Sequence, residues 1–578
     1  MFRDSYLDHA QIVGQLQTWA TQHPQIAHLS TIGQSAAGRD IHLLTIGKNP
    51  EQSRPAVWID GNMHASEVCG SSVALAIAED ILAIHQGANE AGGKPLPAHM
   101  ADAIRETLFY VLPRLSPDGA EEVLKRGRYV RSSPVDDRVN RGHARWESAD
   151  IDGNGLTGHM RQLDPDGELV VLRDKDGPEG QPLVPPVMVA RLPEDPGPFY
   201  KFYPEGHIVN FDGRTIPEPY FLGDNAYDFN RNFPYAWAPE PQQAGAGAYP
   251  GSAPETRAVL DFATKHPNIM VWLNLHTFGG VLIRPLGDKP DSKMDAGDLG
   301  IYEQVEAWMT EHTGYATVSG FHEFLYEPEK PLHGDLSDYA YHQRGALAYV
   351  VELWDLFKQL GIERKKPFVD HYFKFTRKDI RALAEFDRQH NAGRVFGAWK
   401  KVQHPQIGEV EVGGFDARVG IWNPPYERLA ETCRTQSAAF LRVAALVPRV
   451  SVTVVKQERV EGHTRIHIRV ANHGYLSTFG LPSAKALPHS EPLRLTARGE
   501  GGVTLLAPAE AVVEIGHLNG WGGGLYGGPS AFSPWTRGNG HERFVTLVVA
   551  GSGTVQVEVG SCRVGVQRVA VAVTSPTG

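Results

Sequence analysis

AVWIDGNMHASEVCGSSVALAIAEDILAI, residues 56–84, opens with a short apolar run, turns at Gly-Asn, and continues as a helix-spaced apolar pattern. Ala56–Ile59 reads as a buried strand and Ser66–Ile84 as a helix. The same alternation extends outward. Leu7–Ala20 predicts a helix, Asp40–Ile46 a strand and Thr107–Leu112 a buried strand. Ile269–Leu275 and Ala346–Leu353 are further buried strands, and helices are expected over Leu299–Thr313, Arg377–His390 and Glu427–Val447. Strands alternating with helices predict an α/β fold: a mixed, largely parallel sheet flanked by helices.

Two regions break this pattern. Residues 141–222 are rich in Gly, Pro and Asp, too long for a structureless loop, and read as an inserted subdomain. After Pro448, stretches such as SVTVVKQERVEGHTRIHIRVANHGY alternate every second residue between turn signals. The expected organisation is therefore a domain over 1–447, interrupted at about 141–222, and an all-β, sandwich-like domain over 448–578. In the latter, HLNGWGGGLYGGPSAFSPW (517–535) lacks the Gly-Lys-Ser/Thr of a phosphate loop. Its aromatics are expected to pack on the first domain.

Composition narrows the function classes. The 578 residues carry a net charge of −11 without a Lys/Arg-rich block, which argues against nucleic acid or an anionic membrane as partner. No apolar run reaches the length of a bilayer span. The first residues lack the basic and apolar regions of a secretory signal, and the three cysteines are far apart. These features lead us to expect a cytoplasmic protein.

Three of the buried runs end in chemistry. His64 and Glu67, three apart at the expected helix start, can turn one imidazole and one carboxylate toward one ion. His276 ends the apolar run VWLNLH, at the strand end where open α/β sheets place ligands. Two nitrogens, one carboxylate and an open position suit catalytic Zn²⁺. Glu352 lies inside ALAYVVELWD, where a carboxylate is costly unless paired or used; a base beside metal-bound water is one such use. Alone, each has an ordinary reading: a surface helix start, a core histidine, an ion-paired strand end.

With these four residues placed, the chain resembles the M14 family of zinc metallocarboxypeptidases. The resemblance rests also on GQSAAGR (33–39), RLSPDG (114–119) and the Asn-Arg-Asn-aromatic motif in DNAYDFNRNFPYAW (224–237). It implies a zinc enzyme acting on peptides with a free C-terminal carboxylate, with Zn²⁺ on His64, Glu67 and His276 and Glu352 as general base. Arg131 matches the arginine that polarises the scissile carbonyl. Asn230 and Arg231 match the pair that binds the terminal carboxylate, a task suited to a planar guanidinium. Asp228 matches the carboxylate that orients the first ligand histidine.

Some positions depart from the family. Ser66 stands where pancreatic members have arginine. Counting back from Glu352 to the family's mobile tyrosine lands on Lys330; Tyr326 is nearest, and Tyr339 and Tyr341 are alternatives. Ser337 matches the specificity residue and adds no charge to the pocket. The resemblance starts so near Met1 that no activation segment is expected. Separately, Asp150, Asp152 and Asn154 followed by Gly155 resemble half of an EF-hand loop, with Asp164 and Asp166 as further candidates, which raises Ca²⁺ as a second ion. Arg161 at the twelfth position departs from that pattern, and an Asp/Gly turn is the competing reading. Two other functions remain open at this stage: a zinc amidohydrolase acting on N-acyl amino acids or peptidoglycan peptides, and a peptide-binding protein without turnover.

Overall fold

The computed structural model describes residues 1–136, 142–176, 179–219, 227–327, 330–509, 512–522 and 538–574. Eight strands form its main sheet: β1 (Ala27–Gln34), β2 (Asp40–Ile46), β3 (Ala56–Gly61), β4 (Leu108–Leu112), β5 (Ile269–Thr277), β6 (Val281–Arg284), β7 (Ala316–Ser319) and β8 (Leu347–Leu353). Their spatial order is β1-β2-β4-β3-β5-β8-β6-β7. The four central strands β4, β3, β5 and β8 run parallel, and antiparallel pairings occur toward both ends. All nine residues of β5 are buried, because helices cover both faces of the sheet and leave no solvent side.

The β3-to-helix connection is tight. The helix begins at Cys69 and runs to His85. A Cβ on Gly61 would lie 2.6 Å from the Gly70 backbone, and one on Gly70 would lie 2.9 Å from the Leu275 carbonyl. Glycine at both positions lets the helix start press against the ends of β3 and β5. Elsewhere GQSAAGR and RLSPDG interlock: Asp118 accepts from Ser35 Oγ (2.9 Å), Ala37 N (2.8 Å) and Arg39 (2.6 Å). RLSPDG also reaches the turn after β3, where Leu115 N donates to the Gly61 carbonyl (3.1 Å) and Ser116 N to that of Asn62 (3.0 Å).

The inserted segment forms strands, and they recruit later chain. His159–Leu163 pairs with Phe199–Pro204 on one side and with Gly408–Phe415 on the other, the latter half of a hairpin with Phe396–His404. After residue 448 two four-stranded antiparallel sheets follow. Their alternating buried residues, among them Ile466, Ile468, Leu495, Leu547 and Val557, join the same apolar cluster as the main sheet. Arg563, wholly buried, donates to the carbonyls of Arg344 (3.0 Å) and Gly345 (3.2 Å) at the end of helix Leu336–Arg344. Cations are favoured at such carbonyl ends. Most of the 517–535 loop lies outside the described residues; Trp521 meets Tyr475 edge-on at 4.8 Å, and Tyr475 packs on Trp308. Among the described residues no helix is long and apolar enough to cross a membrane.

Candidate active site

Parallel pairing brings the ends of β3, β5 and β8 to one edge. In register, Leu275 lies opposite Gly61 and His276 opposite Glu352. After β3 the chain turns at Asn62, whose φ of 56° is left-handed and whose amide donates to the carbonyls of His64 (2.8 Å) and Ala65 (3.1 Å). His64 and Glu67 belong to this turn, closed by Glu67 N to His64 O at 3.1 Å. The expected helical spacing is corrected here, since the helix starts two residues after Glu67.

Three donor groups converge. His64 Nδ1 is 2.8 Å from Glu67 Oε1 and 3.1 Å from His276 Nδ1, which is 3.0 Å from Glu67 Oε2. All three side chains are buried. The other ring nitrogens are engaged: His64 Nε2 with Asp228 Oδ1 (3.0 Å), His276 Nε2 with Asn274 Oδ1 (2.5 Å). With the Nε2 protons held there, both Nδ1 atoms present lone pairs to one another and to a carboxylate. A bound metal cation reconciles three such acceptors, and two imidazole nitrogens with one carboxylate fit a resident Zn²⁺.

The two histidines are oriented differently. Asp228 contacts His64 directly and also accepts from Arg131 Nε (3.0 Å) and Asn230 N (2.8 Å). Burial raises its pKa, but Arg131, His64 and Arg231 outweigh this and hold it well below normal. His276 is held through an amide. Asn274 donates to Asp60 Oδ1, and Asp60 Oδ2 accepts from the indoles of Trp58 (2.8 Å) and Trp272 (3.0 Å). Asp60 and Asn274 were not singled out in the sequence. Their signal was there: one polar residue inside each of two buried strands.

The remaining expected residues surround this cluster. Burial and the Glu67 carboxylate push Glu352 well above its ordinary pKa, with Arg131 opposing. Arg131 NH1 lies 3.6 Å from Glu67 Oε1, and its carbonyl accepts from Ala65 N (2.7 Å), tying its loop to the ligand turn. Asn230 and Arg231 are buried in a short helical turn, where Asn230 Oδ1 accepts from Leu336 N (2.9 Å). Tyr326 keeps 44% of its surface exposed, while its hydroxyl lies in the field of Arg131, Arg231 and Glu352. Tyr339 instead packs beside Trp272, and Tyr341 donates to Asp298 (2.7 Å), both within the fold. Lys330 pairs with Glu327 at the surface. Ser337 donates to Asp335 (2.8 Å), which caps helix Leu336–Arg344 beside buried Asp338. Tyr129, also unanticipated, is hydrogen-bonded to Arg131.

The calcium expectation gains no support. Asp150, Asp152 and Glu205 do gather, but their oxygens are already used. Asp150 accepts from Gly153 N, Asn154 N and Gly155 N, and Glu205 from Ile151 N, Asp152 N and Gly158 N. Lys400 Nζ lies 3.1 Å from Asp152 Oδ2. Asn154 accepts from Leu156 N (2.7 Å), and Asp164 from Asp166 N (2.8 Å). The acids shape turns.

Comparison with known proteins adds to this geometry. The family described as zinc carboxypeptidase matches residues 12–155 and 222–385, more than half of the chain. A domain of unknown function matches residues 449–572. Carboxypeptidase B of Astacus astacus is 30% identical over 115 residues, covering 20% of this chain and 34% of that protein. A zinc carboxypeptidase of Saccharothrix mutabilis subsp. capreolus is 29% identical over 126 residues, covering 22% of this chain and 27% of that protein. The matched stretches thus span about a third or less of these curated relatives. Among solved structures, a metallo-carboxypeptidase from Burkholderia cenocepacia has a TM-score of 0.35 at 14% identity, covering 76% of this chain and 69% of that one. Thrombin activatable fibrinolysis inhibitor has a TM-score of 0.39 at 16% identity, covering 67% and 77%.

Proposed function

This chain belongs to the zinc carboxypeptidase family, and on that footing we propose that it is a zinc-dependent metallocarboxypeptidase that removes the C-terminal residue of peptides. The observation that carries the proposal is the register of β5 and β8. It sets Glu352 beside His276, with Arg131 and the Asn230–Arg231 turn gathered round the same cluster. Zn²⁺ held by His64, Glu67 and His276 supplies Lewis acidity toward water and the scissile carbonyl. Glu352 takes a proton from the attacking water and returns it to the leaving amine. Arg131, kept charged by Asp228, stabilises negative charge growing on the carbonyl oxygen. Asn230 and Arg231 hold the terminal carboxylate, so only the last peptide bond reaches the metal. Tyr326 closes over the bound residue, and Ser337 faces its side chain.

The test uses zinc-loaded protein and paired peptides with free or amidated C-termini. Cleavage of the free form alone is expected. Glu352→Gln is expected to retain zinc and lose about 10²–10⁴-fold in kcat. Equal cleavage of the amides would remove the carboxylate clamp from the reading. A fully active Glu352→Gln would remove the base.

A further inference from the structure

Arg563 comes from the β module after residue 448 and is wholly buried against the main sheet's side of the molecule. Its NH1 donates to the Arg344 carbonyl (3.0 Å), and its NH2 donates to the Gly345 carbonyl (3.2 Å) and touches Met270 Sδ (3.2 Å). Among the described residues no carboxylate pairs with it, and its Nε has no partner. Burial, helped by the nearby charge of Arg344, pulls its pKa down to about 10, so it stays charged at neutral pH. A buried, unpaired cation is costly unless it is used. What compensates this one is the carbonyl end of helix Leu336–Arg344, which the helix dipole makes negative.

That helix connects the module to the candidate carboxylate clamp. At its far end, about 14 Å along the axis, Leu336 N donates to Asn230 Oδ1 (2.9 Å). Just before it, the Gly334 carbonyl accepts from Phe233 N (2.9 Å), so the Asn230–Arg231 turn hangs on the helix start. At its near end the chain turns at Gly345, whose φ is 63°, into β8. The module packs under this corner as well. A Cβ on Gly345 would collide with Ala484, and Ser483 N (3.2 Å) shares Asp298 with the Tyr341 hydroxyl (2.7 Å).

We propose that Arg563 is a positioning residue of the active site: it anchors the carbonyl end of helix Leu336–Arg344 and so fixes where the helix start holds Asn230 and Arg231 for the terminal carboxylate. The inference rests on the carboxypeptidase reading above. A short helix released at one end can slide or tilt on the sheet. β8 cannot follow it, because it is paired with β5 on one side and β6 on the other. His276 and Glu352 therefore keep their places while the clamp moves, and the effect falls on substrate binding rather than on chemistry. The module over 448–578 thereby becomes part of the frame that receives substrate.

The experiment measures KM and kcat on zinc-loaded full chain for a free-terminus peptide that the wild type cleaves, together with zinc content and thermal midpoint. Arg563→Met keeps the bulk and removes the donors; it is expected to raise KM about tenfold with kcat within about twofold and zinc content unaltered. Arg563→Lys keeps the charge without the planar fork and is expected to raise KM less; it decides the matter should Arg563→Met not fold. Val557→Ala, in the module's own core on strand Gly553–Ser561, is expected to lower the midpoint with KM unmoved. A KM unchanged in the Arg563 variants, or raised as much by Val557→Ala, overturns this inference and leaves Arg563 a stabilising residue alone, with the carboxypeptidase reading standing. Failure of the wild type to cleave any free-terminus peptide overturns that reading, and this inference with it.

Discussion

His64, Glu67 and His276 at the sheet edge, and Asp150, Asp152 and Glu205 in the inserted segment, each bring three donor atoms within 4.8 Å of one another. They differ in where the hydrogen bonds go. In the first cluster Asp228 and Asn274 offer acceptors to the outer ring nitrogens, which assigns the protons there and leaves the inner atoms facing one another as acceptors. Glu67 receives one backbone amide, from Thr277 (3.2 Å). In the second cluster, backbone N–H groups and Lys400 occupy the carboxylates. Closeness of acids and imidazoles is therefore insufficient evidence for an ion. The first group is unsatisfied unless a cation joins it, and the second is satisfied by its own turn.

The largest effect expected from this contrast is on metal removal. Chelation should abolish turnover and lower the thermal midpoint, and Zn²⁺ should restore both. At zinc about 1,000-fold above its Kd the stabilisation is about 4 kcal/mol. Calorimetry on chelated and reloaded protein checks it. An unchanged midpoint would mean that the first cluster satisfies itself as the second does.

Next come the groups that hold the ring protons. Asp228→Asn and Asn274→Ala should each weaken zinc by about 10–100-fold in chelator competition. Asp228→Asn should do more to turnover, since it also frees Arg131. Affinities unchanged in both variants would show that ring orientation comes from packing alone.

Asp60, behind Asn274, adds a pH dependence. Burial raises its pKa from 3.8 to about 6, against hydrogen bonds from Trp58, Trp272 and Asn274. Between those values the folded protein binds a proton that the unfolded chain does not, so stability falls as pH rises through that window. The loss is at most about 3 kcal/mol. Denaturant titrations from pH 4 to pH 7 should show this slope in the wild type and a flatter one in Asp60→Asn.

How much of this could be read in advance depended on range. Ala56–Ile59, Ile269–Leu275 and Ala346–Leu353 were legible as buried strands because each is a local apolar run, and the three strand-end groups came with them. Arg131, Asn230 and Arg231 needed the family resemblance, since an arginine in a basic stretch carries no signal of its own. The turn of His64 and Glu67 was misread as helix because three-residue spacing serves both. Trp422 beside Tyr129, and Glu411 paired with Arg161, join residues some 250 or more positions apart, beyond any local pattern. The calcium expectation went unsupported for the opposite reason. An alternation of Asp and Asn before Gly is local, but whether its oxygens meet an ion or an amide depends on Glu205 and Lys400, which arrive from elsewhere in the chain.

The smallest effect belongs to that turn. An oxygen-rich calcium site holds its ion at about 2.3–2.6 Å with several free carboxylate oxygens. Here Asp150 Oδ1 serves Gly153 and Asn154, its Oδ2 serves Gly155, and the Lys400 ammonium supplies positive charge at Asp152. A calcium ion would have to displace Lys400 and then share oxygens already engaged by amides. Calcium added to zinc-loaded protein is therefore expected to give no binding heat and no change in midpoint. Asp150→Asn keeps an acceptor for some of the three amides, so its midpoint should fall only slightly, with zinc content unaltered. A midpoint that rose with calcium in the wild type but not in Asp150→Asn would break the contrast, by showing that amide-held carboxylates can still yield to an ion.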